Sequence, residues 1–287
     1  MPPRRLTLAF AFSFAAAAVA APLDDAVALF NEKKFPDAGT AFEKIAAADP
    51  TNAAAAYYLG LTLTKRGDPR ALDDAAVWLD KAVALDPKNP RYLFDCGGVH
   101  LRLAQKNTSL GSASKGRELM EKTVALDPAH LDARESLYQY FSQAPFFAGG
   151  SNSKAKIQLE EIRRRDPDRG TVLEVISKAN AKDYSAAFKI CEESLAKNPA
   201  SYIALYQYGR TAAISGQNLE RGVTRLRECL ALTPPTPASP SHSNVWHRIG
   251  NMEEKLKHPT EARTAYETAL KLDAGNRQAA DALAKYK

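Results

Sequence analysis

A run of small residues before a lysine, Gly149-Gly150-Ser151-Asn152-Ser153-Lys154, is the part of this sequence in which phosphate chemistry is first considered. Glycines expose backbone N–H groups that can cradle a phosphate, and a lysine adds positive charge. Such a loop, however, lies between a strand and a helix and ends in Gly-Lys-Ser/Thr. Here a helical pattern precedes the run, and that ending is absent. We therefore predict a turn, in which Ser151 or Ser153 caps the next helix.

Histidine and cysteine side chains are the second chemical candidates, because both can bind metal ions. The chain has five histidines and three cysteines: His100, His130, His242, His247, His258, Cys96, Cys191 and Cys229. No two histidines stand four residues apart, and no two cysteines have ligand spacing. The sequence therefore predicts no metal and no cofactor. An odd, widely spaced set of cysteines indicates buried small apolar residues, with a Cys191–Cys229 disulfide as the alternative.

Acidic residues occur as adjacent pairs, which could suggest a catalytic dyad. The pairs occupy positions 24–25, 73–74, 160–161, 192–193 and 253–254. Neighbours on a helix point about 100° apart, so these pairs are typical of a solvated helix face. A Gly-x-Ser-x-Gly nucleophile motif is also absent from the sequence. We predict that the protein is not an enzyme.

Composition is that of an ordinary globular protein. The 287 residues are 45% hydrophobic and 25% charged, with a formal net charge of +6. The basic residues are spread along the chain, whereas nucleic-acid-binding proteins concentrate them on one face. No nucleic-acid partner is expected. The oligomeric state stays open.

The first twenty residues have the features of a secretory signal peptide. A basic start, Arg4-Arg5, precedes an apolar run, and Ala18-Val19-Ala20 places small residues at a cleavage site. An uncleaved N-terminal anchor is the alternative. With cleavage near Ala20, the mature chain has no membrane-spanning segment and is expected to be periplasmic or secreted.

A helical pattern ending in Asp-Pro or a related dipeptide recurs along the chain. It ends at Asp49-Pro50, Asp86-Pro87, Asp127-Pro128, Asp166-Pro167, Asn198-Pro199, Thr233-Pro234 and, without proline, Asp273-Ala274. Before each end, apolar residues recur every three or four positions, as on one face of a helix. Another helical pattern lies upstream of each. The repeating unit is therefore helix, turn, helix, turn, with a length of about 34 residues where nothing is inserted.

This unit resembles the tetratricopeptide repeat family, whose signature is W-x2-L-G-x2-Y, then A-x3-F, then P. The last unit carries it best, with Trp246, Ile249 and Gly250 in its first helix and Ala262 and Tyr266 in its second. The resemblance extends to exported bacterial proteins built of these repeats. It implies an all-α fold, a right-handed superhelical solenoid of about seven units with a C-terminal capping helix. The predicted segments are a signal peptide over 1–20, units over 22–50, 51–87, 88–128, 129–167, 168–199, 200–234 and 241–274, and a cap over 275–287.

In this family the first helices line a concave groove, so the resemblance implies a set of groove residues. They are Tyr57, Arg91, Arg102, Arg134, Tyr138, Tyr206, Arg210, His247, Arg248 and Asn251. Tyrosine and arginine are common in binding hot spots, and several arginines favour an acidic or carboxylate-bearing partner. The alternative is that some of these tyrosines pack between units.

Enlarged turns within three repeats offer a second surface. The longest, residues 142–153, contains Phe146 and Phe147, whose rings either pack over the helix ends or face outward as an anchor. We therefore predict an exported scaffold that binds a protein or peptide partner, for which the arginines favour an acidic one, through groove and loops. The alternatives are a fixed structural subunit of a cell-envelope complex, a cytosolic adaptor whose apolar start is fortuitous and, less favoured, an enzyme.

Overall fold

The described part of the chain is entirely helical. A computed structural model describes residues 14–66 and 70–286, with side chains from residue 22 onward. Residues 1–13 of the predicted signal peptide therefore lie outside the described residues. Within those ranges, fifteen α-helices and two short 3-10 helices occur and no strand occurs. The predicted all-α class is confirmed.

The chain divides into two compact units, each larger than a single repeat. The first unit ends at Gln158 and the second begins at Leu159. Helices that lie in the first unit are α1 (Phe14–Asn31), α2 (Phe35–Ala48), α3 (Ala53–Leu63), α4 (Ala71–Leu85), α5 (Pro90–Asn107), α6 (Leu110–Leu126) and α7 (Leu131–Gln143). A 3-10 turn at Phe146–Ala148 follows α7, and the division between the units falls within α8 (Asn152–Arg165).

The second unit continues the same alternation of helices and short turns. Its helices are α9 (Pro167–Asn180), α10 (Tyr184–Lys197), α11 (Tyr202–Ser215), α12 (Leu219–Leu230), α13 (His242–Lys255), α14 (Pro259–Leu272) and α15 (Arg277–Leu283), before a 3-10 turn at Ala284–Tyr286. No helix within the described ranges combines the length and apolar character needed to cross a bilayer.

Local sequence explains where the helices begin. Pro90, Pro167 and Pro259 each occupy the first turn of a helix, where a missing N–H costs nothing. Elsewhere a polar side chain accepts a hydrogen bond from a first-turn N–H. Asn52 accepts from the N–H of Ala55 at 2.9 Å, and Ser151 accepts from the N–H of Lys154 at 3.4 Å. The second of these bonds confirms the predicted serine cap.

Glycine in a first helix lets the paired second helix approach closely. A Cβ added at Gly209 of α11 would lie 2.3 Å from Cγ of Leu226 in α12. A Cβ at Gly250 of α13 would lie 2.4 Å from the Tyr266 ring in α14. These separations are shorter than any real carbon contact, so only glycine permits this packing. The repeat's glycine signature therefore reflects helix–helix distance.

Each unit has its own apolar core between successive helices. In the first unit, buried residues from α1 to α6 form one cluster that includes Phe42, Leu59, Leu79, Leu93 and Leu119. In the second, a cluster from α9 to α14 includes Val175, Leu205, Leu226, Ile249 and Met252. Within each unit, helix pairs thus stack one against the next, as in a solenoid of repeats.

All three cysteines are free and buried, as predicted for small apolar residues. Burial raises the pKa of Cys191 and that of Cys229 to about 12, so both thiols stay protonated at neutral pH. The alternative disulfide between them is not formed in the structure.

Candidate functional site

The enlarged turn between α7 and α8 is held in place by its own backbone. The amide of Gly150 donates to the carbonyl of Pro145 at 3.0 Å, and the amide of Ser151 donates to the carbonyl of Phe141 at 2.8 Å. The hydroxyl of Tyr140 donates to the carbonyl of Ala148 at 2.5 Å. Because each end and the middle are bonded to α7 or to the turn itself, the loop has a defined shape.

The two phenylalanines of this turn face solvent. The side chain of Phe146 is 92% exposed and that of Phe147 is 79% exposed. Both residues lie in the 3-10 turn, whose carbonyls accept from amides within the loop. The structure thus answers the question that the sequence left open: neither ring packs over the helix ends.

A cavity of about 480 Å³ lies beside this turn, within the first unit. Pro145 and Ala148, on either side of the two phenylalanines, contribute to its wall. Helices α5, α6 and α7 supply the rest, including Leu101, Arg102 and Tyr140. Arg102, a predicted groove residue, therefore lies at the same concave feature as the enlarged turn.

The other predicted groove residues of the first unit are largely packed. Tyr57 is buried and its hydroxyl donates to Asp95 at 2.5 Å. The exposed guanidinium of Arg91 lies over the Tyr57 ring, 5.1 Å from its centroid. Tyr138 is also buried. The alternative that some of these tyrosines pack between repeats therefore describes Tyr57, which bonds to Asp95 of the next predicted repeat.

Arg134 has partners within the first unit itself. Its side chain is buried, Nε donates to the carbonyl of Pro128 at 2.9 Å, and Nη1 donates to Oε1 of Gln158 at 2.9 Å. These bonds give Arg134 a structural role. The repeat pattern had predicted it only as a groove residue. It is therefore a poor choice for a test of partner binding.

Two predicted groove arginines of the second unit, Arg210 on α11 and Arg248 on α13, lie close enough to repel each other. Nη1 of Arg210 is buried and donates to no hydrogen-bond acceptor among the described residues. Burial first, and the nearby Arg248 second, lower the pKa of Arg210. Neither guanidinium forms an ion pair within the part of the chain that the structure describes. A buried, unpaired donor costs free energy.

The neighbours of these arginines are polar and packed. Tyr206 and His247 are buried, and Asn251 is partly buried. Nδ2 of Asn251 lies 3.3 Å from Nε2 of His247, and the hydroxyl of Tyr266 donates to Oδ1 of Asn251 at 3.0 Å. Burial, together with the charge of Arg248, lowers the pKa of His247 to about 4. His247 is therefore uncharged at neutral pH, and the positive charge of this set of residues is that of Arg210 and Arg248.

A cluster that sequence reasoning missed lies between α4, α5 and α6. Among the described residues, Asp80, Cys96 and His100 bring three possible metal ligands within 4.8 Å of one another. Sγ of Cys96 lies 3.2 Å from Oδ1 of Asp80, and Nε2 of His100 lies 3.0 Å from the same oxygen. Nζ of Lys115 donates to Oδ2 of Asp80 at 2.6 Å.

A cysteine followed four residues later by a histidine was the sequence signal for this cluster. Cys96 and His100 stand four residues apart, on one face of α5. The spacings of the histidines among themselves and of the cysteines among themselves do not reveal this mixed pair. Asp80 belongs to the preceding helix, and its approach depends on how α4 packs against α5.

Electrostatics in this cluster favour a protonated thiol and an ionised carboxylate. Burial acts to raise the pKa of Asp80, but hydrogen bonds from His100, Lys115 and Cys96 hold it at about 2. Burial, and then the Asp80 charge, raise the pKa of Cys96 well above its usual range. A nucleophilic cysteine needs a lowered pKa, so this arrangement does not activate the thiol for catalysis.

Family profiles identify the repeats directly. Profiles described as tetratricopeptide repeat match residues 23–90 and residues 243–276. The chain is a tetratricopeptide repeat protein. The two matches cover repeats at opposite ends of the described sequence. No curated protein sequence matches it significantly.

Solved structures of other tetratricopeptide repeat proteins have the same fold. A tetratricopeptide repeat protein from Parabacteroides merdae is 14% identical with a TM-score of 0.58, over 93% of this chain and 98% of that one. The C-terminal part of a repeat-containing protein from Cytophaga hutchinsonii is 16% identical with a TM-score of 0.56, over 91% and 99%. Yeast Tom70 is 14% identical with a TM-score of 0.57, over 93% of this chain and 52% of that one. At these identities the similarity establishes the fold alone.

Tetratricopeptide repeats support a role as a scaffold for protein–protein interaction. Two surfaces of this repeat protein carry side chains that the packing of the described residues leaves exposed or unpaired. One is the exposed Phe146–Phe147 turn in the first unit, and the other is the Arg210–Arg248 pair in the second.

Proposed function

We propose that this protein is a non-catalytic scaffold that binds a protein or peptide partner, with the α7–α8 turn as its apolar anchor. The observation that carries the proposal is the exposure of Phe146 and Phe147 on a loop of defined shape. Two adjacent aromatic rings in water are costly, and burial of one against a partner contributes roughly 1.5–3 kcal/mol. Aromatic residues of this kind dominate binding hot spots.

The rigidity of the turn supports the same function. Three hydrogen bonds at Gly150, Ser151 and Tyr140 order the loop before any partner arrives. A preformed loop avoids the entropy cost of ordering on binding, so more of the contact energy appears as affinity. The neighbouring cavity, lined in part by Arg102 and Tyr140, offers space for a partner side chain.

An acidic partner fits the second unit. Arg210 and Arg248 form no ion pair among its described residues, and one N–H of Arg210 is buried without an acceptor. A carboxylate beside the accessible part of these guanidinium groups would offset the repulsion between two like charges. We infer that this unit of the groove prefers acidic segments.

Export to the periplasm or beyond is part of the proposal, and it rests on the N-terminal sequence pattern alone. The alternative function is a fixed structural subunit of a cell-envelope complex. Size-exclusion chromatography of a native envelope extract separates the two. A transient binder elutes mainly by itself, whereas a fixed subunit elutes in one large, stable complex.

The experiment is quantitative affinity capture from an envelope fraction of the source cells, with mass spectrometry of the captured proteins. A Phe146→Ser, Phe147→Ser double variant is expected to reduce recovery of the specific partner at least tenfold. Its melting temperature should stay unchanged, because neither ring is packed. Val77→Ser is the matched control, since Val77 is also a 67% exposed apolar residue, on α4.

A second arm tests the arginine pair. Arg210→Glu with Arg248→Glu should reduce capture of an acidic partner, while Arg277→Glu, an exposed arginine on α15, should not. Equal recovery by wild-type protein and both sets of variants would overturn the proposed surfaces.

A further inference from the structure

We propose that Asp80, Cys96 and His100 form a zinc-binding site in the first unit, with water as the fourth ligand. Two of the ligands come from one face of α5, and the third comes from the adjacent α4. This inference does not depend on the partner-binding function proposed above, because the cluster includes none of the residues used there.

The distances match a nearly assembled tetrahedral site. Zinc bonds of about 2.0 Å to nitrogen or oxygen and about 2.3 Å to sulfur place neighbouring ligand atoms roughly 3.3–3.7 Å apart. The observed separations from Oδ1 of Asp80 are 3.2 Å to Sγ of Cys96 and 3.0 Å to Nε2 of His100. All three ligand atoms lie within 4.8 Å of one another. The two contacts of Asp80 therefore need to widen by only a few tenths of an ångström to admit the ion.

The kinds of ligand favour zinc over calcium or magnesium. A thiolate and an imidazole are zinc ligands, whereas calcium and magnesium take oxygen ligands. Three protein ligands with an open position are typical of zinc sites that keep a water molecule. The Asp80 side chain is 35% exposed, so the open position is accessible to water on its side of the cluster.

The bonding capacity of His100 is not used up by its protein neighbours. The side chain is 9% exposed, and its Nδ1 is buried with no hydrogen-bond partner. A fully satisfied structural network would leave no such atom. Nε2 is the ring nitrogen that contacts Asp80, so Nε2 would bind the ion and Nδ1 would carry the proton of the neutral imidazole.

Lys115 is the group that zinc must displace. Its ammonium contacts Oδ2 of Asp80 at 2.6 Å, but its side chain is 46% exposed and can move into solvent. On binding, the S–H bond of Cys96 breaks, a sulfur–zinc bond forms, and the proton passes to water. The net charge of the cluster then gains two from zinc and loses one with that proton, which favours departure of the ammonium.

The test uses the full chain, reduced and freed of metal by chelation, with Co²⁺ as the spectroscopic probe and Zn²⁺ as its competitor. Thiolate ligation of Co²⁺ produces a sulfur-to-cobalt charge-transfer absorption that other ligands do not. We expect this band to saturate at one equivalent of Co²⁺ and to be abolished by Zn²⁺. Zinc should also raise the melting temperature, because it binds the folded chain.

Matched variants assign the ligands. Cys96→Ser should abolish the band, and Asp80→Asn and His100→Gln should each weaken Co²⁺ binding at least tenfold. Cys229→Ser is the control, since Cys229 is an equally buried free thiol outside the cluster. Lys115→Met should tighten binding severalfold, because it removes the competing ammonium. Circular dichroism of the metal-free variants checks that each is folded.

Two outcomes would overturn the site. A wild-type chain that is folded and reduced but shows no thiolate band at millimolar Co²⁺ has no such site. A band that survives Cys96→Ser and disappears in Cys229→Ser would place metal binding elsewhere. In either case the four side chains form a structural polar network only, and Lys115→Met would then change stability without any effect on metal binding.

Discussion

His247 is a buried histidine whose charge state is decided by its surroundings. Its imidazole is buried in α13, beside the guanidinium of Arg248, and its Nε2 lies 3.3 Å from Nδ2 of Asn251. An amide N–H can donate only to an unprotonated ring nitrogen, so this contact also favours the neutral form. Burial and the neighbouring charge together lower the pKa to about 4.

This residue should therefore make folding pH-dependent. The unfolded chain binds a proton at histidine near pH 6.5, and the folded chain binds it near pH 4, so acid favours the unfolded state. The stability that depends on a neutral His247 is fully present above about pH 6.5 and is lost as pH falls toward 4. By pH 4, the loss should reach about 3 kcal/mol of unfolding free energy.

Urea titrations across this pH range, on wild-type protein and on His247→Gln, measure the effect. The variant should lose less stability on acidification, because other titrating groups are common to both chains. Parallel pH profiles for the two proteins would contradict the predicted pKa.

At the scale of the elements, the spacing between paired helices depends on missing side-chain atoms. Gly209 of α11 lies against Leu226 of α12, so closely that a methyl group at position 209 would overlap the leucine. Gly98 of α5 differs, because the nearest atom to its added Cβ is Cε of Met120, at 3.9 Å. Two glycines in helix interiors thus have opposite roles in packing.

Gly209→Ala should destabilise the protein by roughly 1–3 kcal/mol, because the core must shift to accept the methyl group. Gly98→Ala is the matched control and should stabilise by roughly 0.5–1 kcal/mol, since alanine loses less backbone entropy in a helix. Denaturant unfolding of both variants measures the difference.

Leu226→Ala offers a further check on the contact. Added to Gly209→Ala, it should cost less than the sum of the two single variants, because the clash is then relieved. Strict additivity would show that the two helices are not in the close contact observed.

For the molecule as a whole, the N-terminal segment connects folding with location. The predicted cleavage point near Ala20 falls within α1, and the buried Ala26 and the packed Leu23, Val27 and Phe30 all lie after it. Cleavage would therefore leave these four core residues in the mature chain.

We expect the protein isolated from its source cells to begin near Ala21 and to occur in the periplasmic or secreted fraction. Intact-mass spectrometry and N-terminal sequencing measure this directly. The shortened chain should melt within a degree or two of the full chain. An intact N-terminus on protein from the cytosolic fraction would favour the cytosolic adaptor instead.

The sequence by itself determined the features that depend on residues close together in the chain. The apolar period recurs in every repeat, and the prolines at several helix starts and the serine cap at Ser151 act over a few residues. Such features are sufficient to predict an all-α array of helix pairs. The exposed turn could be located in the same way, because its proline and glycines interrupt the pattern.

Tertiary structure alone decided the features that depend on distant residues. The outward direction of Phe146 and Phe147 follows from bonds between the turn and α7, and the burial of Arg134 follows from Pro128 and Gln158. Asp80 reaches Cys96 and His100 only because α4 packs against α5. Side-chain direction and burial are set by contacts across helices, and a repeat pattern specifies that helices pair without specifying which surface atoms meet. The sequence therefore determined the scaffold, whereas packing decided where its binding chemistry is exposed.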